Sequence, residues 1–335
     1  MQEEKPDFLR KIREAAALIR DRVLHTPLEP SDVLARPTGG QVYVKWESEQ
    51  ITGSFKIRGA FHKILSLSEE ERRLGIVSAS TGNHGQALSY AARAENIKLH
   101  LFLPETAAVE KRRKIEAYGV IPEVKGASCE KTEAIAREHA SRTGRVYVSP
   151  YNDWDVIFGA GTVGLEIFED MPEVEDVVVP VGGGGLISGI AGYLKAARPG
   201  VRLIGVEPEN SAFMAASVAA GRLVEIEEKE TVADAVAGGI EPWSVTFPIC
   251  RDYVDRFITV PENAIIQAMA LVYREHGKAI EGAGALSLAA FLYYPWLFRN
   301  RRAVAVASGG NINKERFELM IDSVELFPEP DPWNR

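Results

Sequence analysis

The sequence predicts an α/β fold in which open, twisted, mostly parallel sheets are covered by helices on both faces, and three observations predict it. Apolar runs of strand length alternate with amphipathic stretches of helical length along most of the chain. Loops rich in glycine and polar side chains follow several of those runs, at the carboxyl ends of strands where ligands bind in such sheets. With 335 residues, 46% hydrophobic and 26% charged, the chain is long and apolar enough for one large domain or two smaller ones.

In chain order, Phe8, Leu9, Ile12, Ala15, Ala16 and Ile19 recur at helical spacing, and Pro27 stops that pattern. Residues 42–44 read as a strand. Ser54 is the expected cap of a helix that starts at Lys56. Strands are then expected at 75–78, 99–103, 120–124, 146–148, 177–181, 203–206 and 303–307, with helical stretches at 85–93, 109–117, 129–140 and 186–195. After Asn311 only a short helix and a proline-rich tail are expected. No low-complexity segment or internal repeat stands out, and composition marks no linker.

A net charge of -8 and a pI near 5.5 argue against a basic surface that grips nucleic acid or anionic membrane. The polar start, Met1 to Pro6, has no apolar signal region, and no apolar run approaches a membrane span. Two cysteines, Cys129 and Cys250, lie far apart without metal-type spacing, so both read as reduced and structural. A cytoplasmic protein working on small molecules is the expectation.

Four segments carry the candidate chemistry: 54–60 around Phe55 and Lys56, 80–84 (Ser80, Thr81, Gly82, Asn83, His84), the run Gly182, Gly183, Gly184 and Gly185, and 308–311 beginning with Ser308. Singly each is weak, because most lysines are solvated surface charges and glycine turns are common. The glycine run after a strand could offer converging backbone N–H groups and a helix N-terminus to a phosphate, or be a tight strand-to-helix turn. A hydride-transfer cofactor fits less well, since the spacing is not Gly-x-Gly-x-x-Gly and no acidic ribose partner follows. Arg58 could lower the pKa of Lys56 or serve structure alone. Asn83 and His84 could hold a ligand or cap a helix, and His84 could equally be a packed histidine.

Together and in this order, these segments resemble the serine/threonine dehydratase family of pyridoxal phosphate enzymes, which includes serine racemase. The resemblance runs from about Thr26 to Asn311. It implies a fold like the tryptophan synthase β-subunit: two open sheets, a large domain of residues 1–74 and 155–335, an inserted domain of 75–154, and pyridoxal 5'-phosphate in the cleft between them. A separate C-terminal regulatory domain is expected to be missing, and a homodimer or homotetramer is expected.

By the same resemblance Lys56 bonds the cofactor aldehyde and later removes the substrate's α proton, while Phe55 adjoins it. The glycine run binds the phosphate, Asn83 the ring hydroxyl, and Ser308 the pyridine nitrogen. A neutral partner at that nitrogen favours elimination over transamination. Ser80, Thr81, Gly82, Asn83 and His84 would take the substrate carboxylate. Tyr151, with Asn152, falls in a substrate-side segment, 231–239 in a cofactor-edge segment in which Ala235 replaces the usual glycine, and Glu281 near the ring. Each of these could touch the ligands or stand one layer behind.

Two departures bear on the reaction. Serine racemase has a serine where this chain has Thr81, so a proton donor opposite the lysine stays open. Metal-binding relatives use a carboxylate where this chain has Phe213, beside matching Glu207 and Ser211, so no tight magnesium or calcium site of that kind is expected. The expected activity is release of a 2-oxo acid and ammonia from an L-β-hydroxy amino acid, with L-threonine and L-serine foremost. The rivals are a racemase of serine or hydroxyaspartate, a dehydratase for a bulkier substrate such as L-phenylserine, and a non-catalytic amino-acid sensor, which the intact Lys56, Asn83 and Ser308 disfavour.

Overall fold

Each expected apolar run forms a strand, and the stretches between them form helices, in a computed structural model that describes residues 6–322. The polar residues 1–5 and the proline-rich tail lie outside the described residues. In chain order the elements begin with α1 (Phe8–Ile19), β1 (Leu28–Pro30), α2 (Asp32–Ala35), β2 (Gln41–Lys45), α3 (Lys56–Leu65) and α4 (Glu69–Leu74). An alternating block follows: β3 (Ile76–Ala79), α5 (Asn83–Ala94), β4 (Leu99–Leu103), α6 (Val109–Glu116), β5 (Glu123–Val124), α7 (Cys129–Thr143) and β6 (Val146–Tyr147). Then come α8 (Trp154–Asp170), β7 (Asp176–Pro180), α9 (Gly185–Ala197), β8 (Arg202–Pro208), α10 (Phe213–Ala220), α11 (Thr246–Tyr253), β9 (Arg256–Val260), α12 (Glu262–His276), α13 (Gly282–Tyr293), β10 (Arg302–Val306) and α14 (Lys314–Asp322).

The strands make two sheets, one ordered β1-β2-β10-β7-β8-β9 and one ordered β5-β4-β3-β6. All pairings are parallel except β1 with β2, where Leu28 faces Lys45. Side chains alternate across the larger sheet, so Val177, Val179, Val304 and Val306 pack under α1, α8 and α9, while Val178, Ala303 and Ala305 pack under α12 and α13. Burial on both faces is why these strands are runs of Val and Ala without polar interruption. In the smaller sheet Ile76 packs with α3 and α5, Val77 and Phe102 with α7, and Leu101 and Leu103 with Ile115 of α6.

Three details differ from the sequence reading. The strand expected at 120–124 shrinks to Glu123–Val124, because Pro122 has no N–H to pair and Ile121 is 87% exposed. Ser54 does not cap α3; Phe55 holds the N-cap position without a side-chain bond, and Ser54 pairs with Gly309 in an isolated antiparallel bridge. Helix α8 runs through Gly159, Gly161 and Gly164, residues that disfavour a helix. Close packing explains them: a methyl on Gly159 would stand 2.6 Å from the Arg58 carbonyl of α3, one on Gly161 2.5 Å from Ile12 of α1, and one on Gly164 3.0 Å from the Ile190 backbone of α9. Among the described residues no helix is long and apolar enough to cross a membrane.

Candidate active site

Strands β2, β10 and β7 are neighbours in the larger sheet, so the segments after them, carrying Lys56, Ser308 and Gly182, emerge side by side at its carboxyl edge. Two backbone bonds fasten the first two together: Phe55 N–H to the Ser308 carbonyl at 3.1 Å, and Gly310 N–H to the Gly53 carbonyl at 2.9 Å. Gly53 has φ +70°, and a methyl there would meet Asn311 Oδ1 at 2.7 Å, so the turn that delivers Lys56 requires glycine.

Lys56 starts α3, and its Nζ donates to the Pro150 carbonyl at 2.8 Å. Burial lowers its amine to about 8, partly opposed by the negative charge of Glu281. Arg58 has no share in this. Its guanidinium is fully buried and donates to Glu47 (2.8 Å), to Glu166 (2.5 and 2.8 Å) and to Thr162 Oγ1 (3.1 Å). Burial works to lower the pKa of Arg58, and the two carboxylates outweigh it and raise it. The structural reading of Arg58 is therefore the right one.

The glycine run turns from β7 into α9 with Gly184 at φ +84°. Side chains at this turn would collide: a methyl on Gly182 would lie 2.6 Å from the Val236 carbonyl, and one on Gly183 2.5 Å from the Tyr151 ring. The first bond of α9 runs from Ser188 N–H to the Gly184 carbonyl (2.9 Å), which leaves the N–H groups of Gly185, Leu186 and Ile187 at the positive end of the helix without helical partners. Thr246 Oγ1, in the first turn of α11, donates to the Gly183 carbonyl at 2.6 Å and fixes the turn from behind. Nearby Cys250 is fully buried, and burial pushes its thiol up to about 12, so it is a packing residue; Cys129 is a free exposed thiol.

From the smaller sheet, α5 begins at Asn83. Its Nδ2 donates to Glu281 Oε1 at 2.7 Å, and its Oδ1 accepts from Asn311 Nδ2 at 2.8 Å. Gly309 packs against both Glu281 Oε1 and Asn83 Nδ2. Burial raises the Glu281 carboxyl to about 7, against the Asn83 hydrogen bond. His84 Nε2–H donates to the Val148 carbonyl at 3.2 Å, while its buried Nδ1 has no partner among the described residues. Burial, then the Lys56 charge, holds His84 near 3, so it is neutral. Ser80 Oγ accepts from Gly82 N–H at 3.2 Å; Thr81 and Gly82 are half-buried, and a methyl on Gly82 would meet nothing within 4 Å. That open space faces the turn expected to take a carboxylate. Ser308 is 4% exposed.

These residues fit pyridoxal phosphate on their own chemistry. The segments that follow the strand ends carry a desolvated amine, a side-chain-free turn at a helix N-terminus, and a buried histidine nitrogen and Ser54 hydroxyl without partners among the described residues. Tyr151 joins the site through its ring, packed on Gly183, and its hydroxyl accepts from Glu241 N–H at 2.9 Å. Where metal-binding relatives hold a cation and none is expected here, both Glu207 oxygens accept N–H groups of α10, from Met214 (2.9 Å) and Ala215 (2.6 Å), and Phe213 is buried. Among the described residues no group of three or more His, Cys, Asp or Glu could hold a metal ion. Sequence reasoning missed Thr246 and Glu241, which lie in no motif, and the Pro150 carbonyl, although Pro150 adjoins Tyr151 in the substrate-side segment.

The sequence matches the family described as pyridoxal-phosphate dependent enzyme over residues 19–309. It is 41% identical over 314 residues to the L-threonine ammonia-lyase of Thermotoga maritima, covering 94% of this chain and 78% of that protein. With the catabolic L-threonine dehydratase of Escherichia coli it shares 37% over 322 residues, 96% of this chain and 98% of the other. Among solved structures, maize serine racemase superposes with a TM-score of 0.88 at 34% identity, covering 94% of this chain and 96% of that one. A processed threonine deaminase from Solanum lycopersicum gives 0.87 at 31%, covering 95% of each chain.

Proposed function

The chain belongs to the pyridoxal-phosphate dependent enzymes, and from that premise we propose that it is an ammonia-lyase converting an L-β-hydroxy amino acid, L-threonine or L-serine, to a 2-oxo acid and ammonia. Its cofactor is pyridoxal 5'-phosphate, which when bound supplies an electron sink for the pair left as the substrate's α proton departs. The observation that carries the proposal is the buried amine of Lys56, lowered to about 8 and aimed by the Pro150 carbonyl at 2.8 Å. An amine with that pKa is nucleophilic near neutral pH and can act as a base once freed.

The other residues divide the remaining work. The N–H groups from Gly182 to Gly185 and the start of α9 would hold the phosphate. Asn83, set by Glu281 and Asn311, would bind the ring hydroxyl, and the neutral Ser308 hydroxyl would bind the ring nitrogen. The turn of Ser80, Thr81 and Gly82 binds the substrate carboxylate through backbone N–H groups, with neutral His84 behind it. Relatives named for threonine support the substrate class. The likeness to maize serine racemase and the hydroxyl of Thr81 on this turn keep racemisation as the second reading.

The division into 1–74 with 155–335 and an inserted 75–154 is part of the proposal, supported by the nesting of β3 to β6 between β2 and β7 in sequence. So is a cytoplasmic homo-oligomer: both cysteines are free thiols, as a reducing compartment keeps them, and closed symmetry is usual for such enzymes.

Cofactor-loaded protein incubated with L-threonine, L-serine, their D-forms and L-phenylserine tests the proposal, with 2-oxo acid and ammonia followed together. Equal release of both from one L-substrate is expected. No release, with D-amino acid detected by chiral analysis, overturns it in favour of the racemase.

A further inference from the structure

From 221 to 245 the chain forms neither helix nor strand, yet its last part is bound tightly to the segment beside Lys56. Glu241 is the centre of that attachment. Its carboxylate accepts from Ser149 Oγ (3.2 Å) and Asn152 Nδ2 (2.8 Å) and pairs with Arg137 of α7 (2.8 Å). Its backbone N–H donates to the Tyr151 hydroxyl (2.9 Å), and farther along Val245 N–H donates to Asn152 Oδ1 (3.0 Å).

These bonds reach Ser149, Tyr151 and Asn152, which surround Pro150, and the Pro150 carbonyl is the acceptor for Lys56 Nζ. Tyr151 is also the ring that packs on Gly183, in the turn expected to hold phosphate. One residue thus braces both: the Glu241 carboxylate holds the residues flanking the acceptor of the catalytic amine, and its backbone N–H holds the Tyr151 wall of the glycine turn. The Glu241 side chain is only 13% exposed, so its charge-assisted bonds to Ser149 and Asn152 are not screened surface contacts, while its partner Arg137 is 38% exposed. By contrast Asp234, in the same stretch, reaches Lys111 of α6 (3.0 Å) through a pair exposed by nearly half on each side.

We propose that Glu241 is a positioning residue that fixes segment 149–152, so that the Pro150 carbonyl and the Tyr151 ring stand where Lys56 and the glycine turn need them. The inference rests on the functional reading above. It makes Glu241, two residues beyond the segment 231–239, a determinant of cofactor and substrate affinity, and it assigns Glu241 no contact with either.

Holoenzymes of the wild type, Glu241→Ala, Glu241→Gln and Arg137→Met are compared for the cofactor dissociation constant on dilution, for kcat and KM with whichever amino acid the wild type consumes, and for thermal midpoint. Misplacement of reacting groups by an ångström or less predicts that Glu241→Ala weakens cofactor binding and raises KM by about tenfold each, with a smaller fall in kcat. Glu241→Gln keeps an acceptor oxygen and Arg137→Met keeps the other bonds, so each should change both constants by only about threefold, at an unchanged thermal midpoint. Wild-type constants in Glu241→Ala overturn the proposal, as do losses that simply track the thermal midpoint across the variants. Should Glu241→Ala not fold, the other two decide: raised constants at an unchanged midpoint uphold the proposal and unchanged constants overturn it. A wild type that holds cofactor but consumes no L-β-hydroxy amino acid refutes the proposed reaction, while the cofactor measurement still decides on Glu241.

Discussion

Asn83 and Glu281, separated by 198 positions, meet through a 2.7 Å hydrogen bond from the start of α5 to the residue that precedes α13. Burial raises the carboxyl to about 7, so between the ordinary 4.5 and that value the folded protein holds a proton that the unfolded chain has released. Folded stability from this group is therefore greatest at low pH and falls as pH rises from 4.5 to 7. Glu281→Gln, which keeps an acceptor for Asn83, removes the dependence, and its stability relative to wild type should rise by up to about 3 kcal/mol between pH 4.5 and 8. Urea denaturation of the cofactor-free proteins at both pH values measures it; parallel pH dependences in the two proteins refute it.

Lys56 makes a kinetic prediction. With its amine lowered from 10.5 to about 8, the reactive free base accumulates across pH 7 to 9. Cofactor capture by the cofactor-free protein should accelerate with a midpoint near 8, and Glu281→Gln should move that midpoint down, because Glu281 raises the lysine. Lys56→Ala should lose at least about a thousandfold in turnover. Lys56→Arg should not restore it, since a guanidinium does not give up its proton. A capture midpoint near 10.5, or turnover surviving in Lys56→Ala, sinks the assignment.

How far the sequence could be read follows from where each signal resides. The strands of both sheets were legible because Val and Ala runs such as 177–179 and 303–306 are buried on both faces. Strand β1 was not, since it is three residues long, ends in Pro30 and pairs antiparallel at an edge. Helix α8 hides behind glycines whose purpose, the close approach of α3 at Gly159, of α1 and α9 at Gly161 and of α9 at Gly164, exists only in the packed molecule. In the site, Lys56, Asn83, Ser308 and the glycine run sit in local motifs and could be recognised. Thr246, Glu241 and the Pro150 carbonyl act through partners 63 to 94 residues away; no motif contains Thr246 or Glu241, and the segment around Pro150 pointed to Tyr151 and Asn152, not to a backbone carbonyl. Arg58 was ambiguous for the same reason: its two carboxylates come from positions 47 and 166.

That pair of carboxylates supplies a stability test. Arg58→Met places an apolar side chain between Glu47 and Glu166, two buried anions that then face each other without the guanidinium. Lys45, 2.8 Å from Glu166, compensates only one of them. Removing one member of a buried ionic group costs about 3–5 kcal/mol. The denaturant midpoint should fall accordingly with an unchanged slope. A loss below about 1 kcal/mol, the size of an ordinary exposed pair, would remove Arg58 from the network that holds α3 to α8.

Gly183 allows the proposed phosphate turn to be tested apart from the rest of the site. A methyl at that position would stand 2.5 to 2.6 Å from three atoms of the Tyr151 ring, and the ring cannot retreat freely because Glu241 N–H holds its hydroxyl at 2.9 Å. Either the turn or the ring must shift, and both outcomes disturb the N–H groups that precede the first turn of α9. Gly183→Ala should therefore weaken cofactor binding by about tenfold to a hundredfold, the size of a displacement near one ångström. Inorganic phosphate should lose affinity for the cofactor-free protein in parallel, because the same N–H groups bind it. Gly183→Ala combined with Tyr151→Ala removes the collision and should recover part of both affinities. If the double variant binds phosphate no better than Gly183→Ala alone, the ring is not what requires glycine there.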